Sequence, residues 1–162
     1  DQMIVSNENG GVVLRLGEGG ASWIEVAVPE TANGARPAAT TQALAYSGAP
    51  LAGIVSFHGS LIPASAEAAA VNKAKFLVCH GAVDPFIKPE ELAAFTKSMN
   101  DGKFDYQLVS YAGAIHAFTN PKADAIAKSA GLVGGVGYHA AADKRSWAHM
   151  RSFFAEIFAV KK

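Results

Sequence analysis

Leu77-Val78-Cys79-His80-Gly81-Ala82-Val83-Asp84-Pro85 is the stretch whose reading decides the fold of this chain. A near-continuous apolar run from Ala74 to Cys79 stops at a glycine, and an aspartate follows before a proline. Such a run suits a strand buried on both faces, and Asp-Pro suits the turn that leaves it. Tyr111-Ala112-Gly113-Ala114-Ile115-His116-Ala117-Phe118 repeats the design, closing the strand Phe104–Tyr111 with a glycine-containing loop that presents His116. A carboxylate and then a histidine, each just past a strand end, is the chain order of acid and base in one form of the nucleophile–acid–histidine triad. That order predicts a nucleophile upstream on a Gly-x-Ser/Cys-x-Gly turn, and residues 1–76 contain no such turn.

Working outward, Leu51–Phe57 (L-A-G-I-V-S-F) is a further buried strand, ending at His58-Gly59. Pro89–Met99 has a proline and two acids in its first turn and a Leu92/Phe95/Met99 stripe, which predicts an amphipathic helix. Ala38–Ser47 reads as a short helix stopped by Gly48-Ala49-Pro50, and Ala64–Val71 as a short helix or loop. Thr119–Tyr138, with Pro121 and the glycine cluster 131–137, predicts a long irregular connection. Ala140–Phe158 predicts a closing helix packed through Trp147, Met150, Phe154, Ile157 and Phe158. Alternating buried strands and helices imply an α/β protein whose mainly parallel sheet has right-handed crossovers and flanking helices. In such sheets functional residues collect at the carboxyl ends of the strands, where Gly59, Gly81, Asp84, Gly113 and His116 all fall.

Residues 1–39 have a different texture. Val12–Leu16 and Trp23–Val28, joined through Gly17-Glu18-Gly19-Gly20, predict a β-hairpin, and 29–37 reads as a loop. The organisation expected is one domain over 1–162, with a divergent segment 1–39 and an α/β part 40–162.

Composition bounds the rest. Half of the 162 residues are apolar, 17% are charged and the formal net charge is zero, an ordinary globular balance. That balance offers no nucleic-acid surface and no polybasic membrane patch, and no apolar run reaches the roughly 20 residues of a membrane span. One cysteine excludes an intrachain disulfide and a multi-thiolate zinc site. Asp1 in place of a methionine is compatible with a processed or trimmed product. The expectation is a soluble protein, cytoplasmic in preference to secreted.

Ile54-Val55-Ser56-Phe57-His58-Gly59-Ser60-Leu61, Cys79–Phe86, Ala114–Pro121 and Tyr138–Trp147 together resemble the dienelactone hydrolase family, an α/β-hydrolase fold, from about Gln42 to Phe158. The resemblance implies that Asp84 is the triad acid and His116 the general base. It also implies a carboxylic ester or lactone as substrate, cleaved through a covalent intermediate with no cofactor and no metal. The family nucleophile is a Cys in Gly-x-Cys-x-Gly-Gly, whose position here falls near Gly34-Ala35-Arg36-Pro37-Ala38-Ala39, with no thiol, no hydroxyl and no following glycine pair. Four residues past the histidine, dienelactone-specific members place an Arg for the substrate carboxylate, and this chain has Asn120. A small neutral ester or lactone is therefore the expected partner. The alternative is a catalytically inactive, truncated or remodelled member acting through binding or oligomerisation. Loss of strands on one side would expose a sheet edge, favouring a homo-oligomer or the 1–28 hairpin as a replacement edge.

The remaining polar residues have plainer readings. Cys79 sits in an apolar run, where a free cysteine behaves as a small hydrophobe. Thr40 and Thr41 lie in a helical stretch without flanking glycines and read as caps, and Ser56 and Ser60 as turn residues. His58, His80, His139 and His149 contain no His-x-x-x-His pair, so no metal site is expected, and Gly134-Gly135-Val136-Gly137 lacks the Lys-Ser/Thr of a phosphate loop.

Overall fold

The computed structural model of the chain describes residues 2–7, 10–17, 20–26 and 37–158, with side chains from residue 41 onward. The elements are β1 (Gln2–Asn7), β2 (Gly10–Gly17), β3 (Gly20–Val26), α1 (Pro37–Tyr46), β4 (Leu51–Phe57), α2 (Ala66–Val71), β5 (Lys75–Gly81), α3 (Pro89–Asp101), β6 (Tyr106–Tyr111), α4 (Ala123–Ala130) and α5 (Ala140–Ile157). One six-stranded sheet runs in the order β3-β2-β1-β4-β5-β6. The pairings β1–β4, β4–β5 and β5–β6 are parallel, and β1–β2 and β2–β3 antiparallel. The sheet is thus α/β and mainly parallel.

Side chains alternate across the pleat, so the apolar runs of β4 and β5 feed two cores at once. Val55, Phe57, Leu77 and Cys79 face a core closed by Met150 and Phe153 of α5. Ile54, Phe76 and Val78 face the opposite core, closed by Ala45 of α1 and Phe95 and Met99 of α3. Burying a Phe or Leu side chain is worth about 1.5–3 kcal/mol, which makes this pair of apolar layers the main source of stability. Helix α3 begins as its sequence requires: Pro89 occupies the first turn, and the Lys88 N–H donates to Glu91 Oε2 at 2.8 Å.

Three expectations change. The connection 119–138 contains α4, whose buried residues Ala123 and Ala127 are one turn apart and which Gly131 ends with a left-handed φ of 71°. The buried stripe of α5 is Ala142, Ser146, Met150 and Phe153, so Phe153 and not Phe154 fills the core, and Trp147 lies half exposed against Phe57. The edge of β4 is paired by β1, a strand the sequence reading did not assign, and the expected hairpin pair β2–β3 extends the sheet beyond it. The expected hairpin turn at 18–19 and most of the 29–37 loop lie outside the described residues. No helix of the described residues is long and apolar enough to cross a membrane.

Candidate active site

Asp84 and His116 meet above the carboxyl ends of β5 and β6. Two loops bring them there, and backbone hydrogen bonds join these loops. Ala82 N–H donates to Tyr111 O at 3.0 Å and Val83 N–H to Ala114 O at 3.1 Å. Gly81 permits the approach, because a Cβ there would stand 2.7 Å from Ala114 O and 2.8 Å from Ile115 O. Asp84 turns back through its own backbone, its N–H donating to Gly81 O at 3.0 Å. Its Oδ1 accepts from the Phe86 N–H at 2.9 Å, the side-chain-to-backbone turn that Asp favours.

The second carboxylate oxygen, Oδ2, lies 2.9 Å from His116 Nδ1, with the Asp84 side chain fully buried and that of His116 14% exposed. A carboxylate only accepts, so Nδ1 carries the proton and Nε2 is left with the lone pair. The His116 backbone is held from the other side. Its N–H donates to Gly135 O at 3.2 Å, and its carbonyl accepts from Gly137 N–H at 3.0 Å. The 134–137 glycine run therefore braces the histidine loop, a use its sequence did not announce. The ring of Phe86 stands edge-on to His116 at 5.3 Å.

The other candidates are placed elsewhere. Cys79 is fully buried in the α5-side core, and burial pushes its thiol up to about 12, with the Tyr111 hydroxyl 3.7 Å away acting in the opposite direction. Its thiolate is the form that attacks, so this thiol is inert near neutral pH. Thr41 is buried on α1, and the side chain of Thr40 lies outside the described residues, as do residues 34–36 of the expected nucleophile turn. The Ser56 hydroxyl is buried without a hydrogen-bond partner. His139 caps α5, its Nδ1 accepting from Ala142 N–H at 3.1 Å, and His149 Nδ1 lies 2.7 Å from the Tyr111 hydroxyl. Among the described residues no three His, Cys, Asp or Glu side chains form a group able to hold a metal ion. A cavity of about 310 Å³ lies behind the histidine loop, but neither Asp84 nor His116 lines it.

His58 is the residue whose place at the site sequence reasoning missed. It is 2% exposed, packs edge-on against His116 at 5.5 Å and has its Nε2 2.8 Å from Thr119 Oγ1. Burial, and then the neighbouring His116, lower its pKa from 6.5 to about 3, while Asp84 acts weakly the other way. Burial likewise lowers the pKa of His80, whose Nδ1 has no partner. Between about 3 and 6.5 the unfolded state binds a proton at His58 that the folded state refuses, so stability falls as pH drops through that window. The urea midpoint is expected to fall from pH 7 to pH 5, with a smaller fall in His58→Gln; identical falls in both proteins would remove His58 from the account.

Comparison with known proteins agrees with this architecture. The sequence pattern of the dienelactone hydrolase family matches residues 38–158. A dienelactone hydrolase-like promiscuous phosphotriesterase from metagenomic libraries is 40% identical with a TM-score of 0.67, over 75% of this chain and 48% of its own. An uncharacterised protein of Caenorhabditis elegans is 35% identical over 107 residues, 65% of each chain. A Klebsiella pneumoniae structure carrying the same family name shares the fold at 21% identity and a TM-score of 0.53, over 70% of this chain and 45% of its own. The chain thus spans about half the length of these solved relatives. With the family pattern covering three quarters of the sequence and the same fold in its relatives, the chain belongs to the dienelactone hydrolase family.

Proposed function

We propose that the chain carries the acid–base half of an ester- or lactone-hydrolysing site, with His116 as general base and Asp84 as its orienting acid. The observation that carries this reading is the 2.9 Å contact between His116 Nδ1 and a fully buried Asp84 carboxylate at the carboxyl ends of adjacent parallel strands. His116 Nε2 takes a proton from the attacking group as the tetrahedral intermediate forms, and returns it to the departing alkoxide as the intermediate collapses. Asp84 keeps the proton on Nδ1 and stabilises the imidazolium in between. The attacking group is not the sealed Cys79 thiol.

Two features support an uncharged substrate. Asn120 stands where the resemblance would put a carboxylate-binding Arg. The 40% identical relative is described as a phosphotriesterase, and a phosphotriester is, like a neutral ester, an electrophile without charge. The test is release of p-nitrophenolate from p-nitrophenyl acetate beside opening of a carboxylate-bearing dienelactone. Turnover of the neutral ester above background, at least about tenfold faster than of the anionic lactone, is the expected result, since a lost charge-assisted contact costs about 1.5–3 kcal/mol. No turnover of either would favour a binding role for a chain that keeps the fold without the chemistry.

A further inference from the structure

The acid–base reading of Asp84 and His116 leaves two side chains unused directly behind the histidine. His58, the first residue after β4, is buried, and its Nε2 lies 2.8 Å from Thr119 Oγ1, three residues beyond His116 in the same loop. The His58 backbone N–H donates to Cys79 O at 2.8 Å, which anchors this end of the contact on β5. Both ends hold non-glycine residues at positive φ, 41° at His58 and 62° at Ala117. Such residues persist in that region only where their surroundings hold them there. The His58 ring stands edge-on to Phe118 at 5.2 Å and to His116 at 5.5 Å, while Phe86 flanks His116 edge-on at 5.3 Å.

We propose that His58 and Thr119 form a staple across the two loops that fixes the imidazole plane of His116, making His58 a positioning residue for the base. The proposal rests on the reading of His116 as that base. The geometry states what the staple must do. Asp84 fixes one atom of the ring, Nδ1, and a single hydrogen bond leaves the imidazole free to swing about it. A second constraint on the loop that carries the ring, at Thr119, removes that freedom. The requirement on the staple is a ring that fills the gap, bonds to Thr119 and carries no charge, because a cation there would oppose the imidazolium that His116 becomes. Burial keeps His58 neutral, and the titratable groups whose fields reach it are His116 and Asp84.

The test reads a proton rather than turnover. Imidazole nitrogen NMR of the whole chain reports the His116 tautomer and the exchange rate of its Nδ1–H. Thr119→Val keeps the side-chain shape and removes the hydroxyl, His58→Phe keeps the ring and removes the nitrogen, and His58→Gln restores a hydrogen-bonding group near the position of Nε2. The first two are expected to speed Nδ1–H exchange by about five- to tenfold, the worth of one net hydrogen bond, and to populate the other tautomer. His58→Gln is expected to recover most of the loss, and the Phe/Val double variant to be no worse than either single one. Unchanged tautomer and exchange in Thr119→Val would overturn the proposal, and that variant decides alone if His58→Phe does not fold. An inactive wild-type chain that still shows these shifts refutes the hydrolytic reading and keeps the staple; an active chain without them does the reverse.

Discussion

Replacing His116 by alanine is expected to lower kcat/KM for p-nitrophenyl acetate by about three to four orders of magnitude, the usual scale for loss of a positioned base. Asp84→Asn is expected to cost nearly as much, and the hydrogen-bond pattern says why. Oδ1 of Asp84 must accept from the Phe86 N–H at 2.9 Å. An asparagine therefore places its carbonyl there and turns its NH₂ toward His116 Nδ1, where Oδ2 now accepts at 2.9 Å. A donor facing Nδ1 drives the ring proton to Nε2, and the base loses the lone pair it needs. The fold survives, since the amide occupies the volume of the carboxylate. Kinetics beside circular dichroism check both variants, and an unchanged rate in His116→Ala would end the acid–base assignment.

Gly81→Ala is expected to be strongly damaging for the addition of a single methyl. The conflict is one of space rather than of backbone conformation, because the new Cβ would stand 2.7 Å from Ala114 O and 2.8 Å from Ile115 O. Both obstacles are main-chain atoms of the loop that carries His116, so no side-chain rotation relieves the clash. The loops must part, at about 1–3 kcal/mol for overpacking, and the bonds from Ala82 and Val83 to Tyr111 and Ala114 weaken with them. A displacement of about 1 Å between reacting groups costs on the order of 100-fold in rate. The expected result is a lower urea midpoint together with a loss of activity larger than the stability change explains at temperatures where the variant is folded. A variant with wild-type midpoint and rate would show that the loops are not held where they stand.

How far the sequence disclosed this structure depended on the length and contrast of each signal. β4 and β5 were legible because strands buried on both faces must be apolar without interruption, and α3 because a proline, two acids and a periodic stripe agree. α4 was hidden because its buried positions, Ala123 and Ala127, are small residues that make little contrast with their neighbours, and because Pro121 and the glycines after it read as punctuation. β1 carries one short apolar run, Met3-Ile4-Val5, without the alternation that marks a half-buried strand. In the candidate site, Asp84 and His116 announced themselves through their positions past strand ends. His58 and Thr119 did not: a contact between residues 61 apart leaves no local pattern, and the positive φ at His58 and Ala117 is a demand of the surroundings that neither side chain advertises.

The distances along the chain at which these contacts close have a consequence for the order of assembly. Asp84 and His116 are 32 residues apart, in the loops that follow β5 and β6 of one strand–helix–strand unit, whereas the contact between His58 and Thr119 spans 61 residues. Loop-closure entropy grows only logarithmically, so this near doubling costs about 0.6 kcal/mol, and the larger difference is topological. The approach of acid and base requires the pairing of β6 with β5 across a local crossover. The staple waits for β4 to add to that unit. Closure of the acid–base pair before the staple is therefore the expected order of assembly, and protection of the Ala82 and Val83 amides ahead of the His58 amide in pulse-labelled refolding would check it.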